Sequence, residues 1–147
     1  MTHADLIQEL NAAMDRQLVT YRDIRALVLA FAKQESFIKN DQVSALAWKH
    51  HNPFGMKWNA PADIGRYESV TLAGNKFDKA DGLNEIHYRV YKDFDHAVTV
   101  FLKNIFASSN EQRRKAFALF AASCADSWCQ NNPQHVTEVL ASFNSFR

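Results

Sequence analysis

The chain has 147 residues, the size of one domain, and 47% of them are apolar, enough to close a real core. A formal net charge of +1 gives no electrostatic case for nucleic acid or an acidic membrane surface, and no stretch approaches the length and apolarity of a membrane span. Cys124 and Cys129, without clustered histidines, fit reduced structural thiols better than a zinc site or a disulfide closing so small a loop.

From Ala4 to Leu18, the residues Leu6, Ile7, Leu10, Ala13, Met14 and Leu18 recur at helical spacing, which predicts a one-sided amphipathic helix capped by Thr2. The opening MTHADLIQEL is polar, with no basic segment followed by an apolar one, so no export signal is read in it. Thr20 is the expected cap of a second helix, with Asp23 in the first turn, where a carboxylate meets the positive end of the helix dipole. Between Ile24 and Phe37 nearly every face is apolar, as expected of a helix in the middle of a bundle. Glu35 closes this central helix.

Lys39 to Ala47 is polar and predicts a loop or short helix, and His51-Asn52-Pro53 breaks the period because a residue before proline is pushed out of the helical region. All four glycines, Gly55, Gly65, Gly74 and Gly82, fall in one segment where helical spacing disappears. Strands are predicted there at residues 67–72 and 85–91, making a small hairpin or three-stranded lobe over about residues 57–92, with turns near Gly74-Asn75 and Asp81-Gly82. Helices are predicted again at residues 93–106, from Asn110 or Glu111 to Cys124, and at residues 133–143. With no repeat or linker, residues 1–147 are expected to form a single domain of the α+β class, mostly α, with one β excursion and a cleft between the two parts.

The chemistry centres on Glu35. A carboxyl in apolar surroundings has its charged form disfavoured, so its pKa rises and it can donate a proton near neutral pH. An acid at the end of a buried helix, followed by a loop rich in amides and aromatics, suggests glycan cleavage; the plainer reading is a charge decorating a helix end. His50 and His51 are adjacent, which is not a metal-ligand spacing on a regular element, and no metal or other cofactor is expected.

Three stretches, Ala32-Lys33-Gln34-Glu35-Ser36, Ser44-Ala45-Leu46-Ala47 and His51-Asn52-Pro53-Phe54-Gly55-Met56-Lys57, together resemble the glucosaminidase family of peptidoglycan hydrolases, glycoside hydrolase family 73 of the autolysin and flagellar-rod-hydrolase type. Tyr88-Arg89-Val90-Tyr91 and the run from Asp126-Ser127-Trp128 to Asn132-Pro133-Gln134-His135-Val136 agree in order. The resemblance implies a lysozyme-like helical domain with a small inserted β-hairpin lobe. It implies hydrolysis of the β-1,4 bond between GlcNAc and MurNAc, with Glu35 as general acid and peptidoglycan glycan strands as partner. It also implies sugar contacts from Asn52, Phe54, Gly55, Trp58, Arg89, Tyr91 and Trp128, with Tyr67 and Tyr88 as further aromatics near the rings. For Phe54, Tyr88 and Tyr91 core packing is the alternative, and for Arg89 an ion pair.

The family's second acid, a glutamate in the β-lobe, falls near Lys76-Phe77 here, where no glutamate stands. Asp78 is the nearest carboxylate, with Glu68, Asp81 and Glu85 as rivals, and the substrate's own 2-acetamido group is the alternative nucleophile. Rival readings of the whole chain are a lytic transglycosylase or muramidase, from the likeness of Gln34-Glu35-Ser36-Phe37 to that group, and a non-catalytic glycan-binding module. A chain made in the cytoplasm without a signal peptide would reach the wall by holin-mediated release, as an endolysin, or through a secretion system, in which case an immunity protein is a further expected partner.

Overall fold

The computed structural model describes residues 1–73, 85–105 and 133–147. Among these, the helices are α1 (His3–Arg16), α2 (Arg22–Ser36), α3 (Ala45–His50), α4 (Phe94–Ile105) and α5 (Pro133–Phe146). The strands are β1 (Phe37–Ile38), β2 (Gln42–Val43), β3 (Glu68–Ala73) and β4 (Glu85–Val90). The architecture is the expected one, a mostly helical α+β fold with a small antiparallel lobe. The helix expected between residues 110 and 124, the two cysteines and the turns near Gly74 and Gly82 lie outside the described residues.

Helix α1 starts as its sequence dictates. Thr2 accepts from the Asp5 amide at 3.1 Å while the Asp5 carboxylate accepts from the Thr2 amide at 2.8 Å, a reciprocal box that satisfies two otherwise orphaned donors. Its apolar stripe, Leu6, Leu10, Ala13 and Met14, is fully buried. Helix α2 starts differently from expectation: its N-cap is Tyr21 rather than Thr20, and no side chain caps it. The tie at this end is ionic instead. Asp23 is buried and paired through Oδ1 with Arg147 Nε at 2.8 Å, joining the start of α2 to the chain's last residue.

Helix α2 is the core element. Ala26, Leu27, Val28, Leu29, Ala30, Phe31 and Ala32 are buried in succession, so that every side of the helix is packed. It lies most extensively against α5, where Gln34 Nε2 donates to Ser142 Oγ at 3.0 Å. Phe101 of α4 meets two rings at once, Phe31 at 5.4 Å and Phe54 in a stack at 4.1 Å. That stack carries the loop after α3 into the core.

One local feature goes beyond the loop or short helix expected for residues 39–47, while α3 is that short helix. Phe37–Ile38 and Gln42–Val43 pair as a two-residue antiparallel ladder, closed by Asn40 and Asp41 at φ 60° and 55°. Asn and Asp are the non-glycine residues that enter the left-handed region most cheaply. His3 stacks on Phe37 at 3.8 Å and its Nε2 lies 3.1 and 2.9 Å from the Ile38 and Gln42 carbonyls, holding this ladder to the start of α1. Ser44 then caps α3.

In the β-lobe, β3 and β4 pair from Glu68↔Val90 to Ala73↔Glu85. A third segment lies on the other side of β4. Arg89 N donates to Met56 O at 3.0 Å, Trp58 N donates to His87 O at 2.8 Å, and Lys57 bridges Tyr88. Residues 56–58 thus extend the hairpin on its inner side and join it to the loop that follows α3. Phe101→Ala removes the ring that Phe31 and Phe54 share and is expected to cost about 3–5 kcal/mol, read as a lower denaturant midpoint with an unchanged slope.

Candidate active site

The site is built where α2 ends. Glu35 is its second-to-last residue, and its carboxyl is pushed from 4.5 up to about 7 by burial. Gly55 lies directly over it: a Cβ built on Gly55 would stand 2.9 Å from Glu35 Oε2. Gly55 also has φ +63°, in the region that favours glycine. Backbone conformation favours glycine here, and a side chain in its place would push the Glu35 carboxyl aside.

The loop is held in that position from both ends. Ser36, buried, donates its hydroxyl to the Pro53 carbonyl at 2.5 Å. Asn52, also buried, donates through Nδ2 to Met56 O at 2.9 Å and Arg89 O at 2.8 Å, while its Oδ1 accepts from Met56 N at 3.0 Å. Both amide donors are spent on backbone carbonyls. Asn52 is thus a bracket between the loop and β4, which corrects the expectation that it touches sugar. His51 just before it sits at φ 52° as the C-cap of α3, its ring edge-on to Phe94 at 5.1 Å.

Two more of the expected sugar contacts are core residues. Phe54 is 0% exposed and stacked on Phe101, and Tyr91 is 1% exposed with its hydroxyl on Met56 Sδ at 2.9 Å. Burial pushes the Tyr91 phenol up to about 12. Both were open to this reading, because an aromatic in a motif looks the same in sequence whether it faces a ligand or the core. Trp58 is only half-buried, with Nε1 donating to Tyr67 O at 3.0 Å, and Tyr88 is half-buried on β4. Of the rival acids, Glu68 is exposed at the start of β3. Asp78, Asp81 and Trp128 lie outside the described residues.

Arg89 orients a carboxylate, and that carboxylate is Asp63, which spacing did not single out. Nε and Nη2 reach Oδ2 and Oδ1 at 2.9 and 3.0 Å, a bidentate pair with Asp63 2% exposed. Burial works to raise the Asp63 pKa, but the guanidinium and the Asn59 amide outweigh it and hold the carboxyl below its usual range. Asp63 also accepts from Asn59 N at 2.9 Å, closing the turn of residues 59–63 on itself. The guanidinium lies 4.3 Å from the Tyr67 ring centre, and His96 stacks on Tyr67 at 5.9 Å. This cluster fixes the wall that carries Trp58. A buried pairing between a turn residue and a distant strand leaves no mark in local spacing.

Two variants follow. Asn52→Ala takes this side-chain partner from Met56 N and Arg89 O, while Met56 O keeps the Arg89 amide; it is expected to lower stability on the order of 3 kcal/mol, seen as a large fall in Tm. Glu35→Gln should do the reverse. A carboxyl with its pKa raised on folding leaves stability intact below 4.5 and takes it away as pH climbs to about 7. At about 1.4 kcal/mol per unit the loss is on the order of 3 kcal/mol. The glutamine variant should therefore match the parent Tm near pH 4 and exceed it at pH 8.

No protein-family model and no curated protein matches the sequence. Among solved structures, the glycoside hydrolase domain of FlgJ from Salmonella typhimurium superposes with a TM-score of 0.58 over 99% of this chain and 88% of that one, at 14% identity. The chain has the fold of that glycoside hydrolase domain.

Proposed function

We propose that the chain is a peptidoglycan hydrolase, an endo-β-N-acetylglucosaminidase that cleaves the β-1,4 bond between GlcNAc and MurNAc with Glu35 as general acid. One observation carries the reading: a carboxyl at the end of the central helix, pushed up to about 7 by burial and seated against the Gly55 backbone. An acid half protonated at neutral pH is suited to hand its proton to a departing glycosidic oxygen while the sugar becomes oxocarbenium-like. The fold shared with a glycoside hydrolase domain supports that class of chemistry. The motifs between Ala32 and Lys57 support the glucosaminidase choice within it, and half-buried Trp58 and Tyr88 are suited to lie against apolar sugar faces.

With Lys76 standing where the resembled family has its second acid, the substrate's 2-acetamido oxygen attacks the anomeric carbon in this mechanism. Water then opens the ring that forms, and configuration is retained. An Asp78 base would instead activate water directly and invert it.

Glu35→Gln should cut turnover on purified sacculi by about 10²–10⁴-fold while the protein stays folded; wild-type turnover in that variant would contradict the assignment. In the parent enzyme, kcat/KM should fall as pH rises through about 7, the value burial gives the acid. Product masses should show reducing-end GlcNAc, where 1,6-anhydro sugars would mean a lytic transglycosylase and no released ends a binding module. Proton NMR of the first product should show the β-anomer. An initial α-anomer with an inactive Asp78→Asn would replace the acetamido mechanism by the Asp78 one.

A further inference from the structure

Ser36 follows the proposed acid directly, ends α2 and is 1% exposed, so it does not itself meet substrate. A serine at a helix end ordinarily turns its hydroxyl to water or back onto its own helix. Here the hydroxyl leaves the helix and donates to the Pro53 carbonyl at 2.5 Å, across a gap of seventeen positions in the chain. The Ser36 carbonyl in turn accepts from Ser44 N at 2.9 Å, tying the same residue to the segment that leads into α3.

The loop this bond captures is the one that covers Glu35. Asn52 fastens the loop to β4 and the Phe54 ring fastens it to α4, but the hydroxyl of Ser36 fastens it to the helix that carries the acid. Two residues after Pro53, Gly55 comes close enough to Glu35 Oε2 that a Cβ there would stand 2.9 Å from it and displace the carboxyl. Of the titratable groups on the elements that meet here, Lys33 precedes the acid on α2, His51 and Lys57 flank the loop, and Arg89 of β4 is engaged by Asp63.

We infer that Ser36 is a positioning residue for Glu35: its hydroxyl draws the Pro53–Gly55 turn down over the end of α2, so that glycine backbone closes one face of the acid to water. The inference rests on the proposed role of Glu35, but its first readout, the titration of the carboxyl, does not depend on turnover. A shifted carboxyl with no effect on cleavage would sink the proposed function and leave the positioning intact.

The test is Ser36→Ala in the full chain, with the Glu35 side-chain carboxyl followed by carbon-13 NMR and assigned by its loss in Glu35→Gln. With the turn released and water admitted, the carboxyl is expected to titrate about one unit or more below the parent value. The basic limb of the kcat/KM profile should move with it, and kcat should fall about ten- to hundredfold with KM little changed. Ser36→Cys keeps the volume with a weaker donor and is expected to fold and to shift partway. A folded Ala or Cys variant that melts lower yet still titrates at the parent value overturns the inference, because Ser36 would then act on stability alone.

Discussion

A buried carboxamide holds this site together. Asn52 sits where water cannot reach it, so both its donors and its acceptor must be met by protein, and the partners are backbone groups of two different segments. Leaving such groups unpaired in a dry interior costs more than any single hydrogen bond gains. The loop of residues 52–56 consequently has one low-energy course: Pro53 reaches Ser36, Phe54 enters the core on Phe101, and Gly55 arrives over Glu35. The same bracket sets the edge of the β-lobe, since Arg89 both receives the Asn52 donor through its carbonyl and presents its guanidinium to Asp63.

The acid is placed against its own stability. Burial that lifts a carboxyl to about 7 disfavours the folded state at every pH where the unfolded chain would be ionised. The rest of the structure offsets this with the densely packed α2, the buried Asp63–Arg89 pair and the aromatic layer of Phe31, Phe54 and Phe101. Proton-donating capacity and the local destabilisation have one cause, the withdrawal of solvent from Glu35. No substitution that returns water to the carboxyl can keep the first while relieving the second.

How much of this was legible in the sequence varied with the range of the interactions. The helices announce themselves through local periodicity, and the capping box of α1 is written in Thr2 and Asp5. Glu35 stood out because an acid on a helix apolar on all sides is anomalous, and Gly55 because it sat in a motif. Asn52, Phe54 and Tyr91 are buried and build the site from within; sequence leaves that role open beside sugar contact, since a motif residue that builds a site and one that touches the ligand carry the same letter. The Asp63–Arg89 pair and the Ser36–Pro53 bond connect residues far apart in the chain, and spacing has no way to report them. The ladder around Asn40-Asp41 leaves no signal either, because two residues per strand are too few to show alternation.

The most direct test of this account is the titration of the Glu35 carboxyl in the unaltered protein, by carbon-13 NMR of glutamate-labelled chain without substrate. A midpoint near 7 is the predicted result, because burial at the end of α2 lifts it there. A midpoint near 4.5, the value of a solvated glutamate, would contradict the account: the carboxyl would be in water, and a neutral-pH proton donor at this position would have no physical basis.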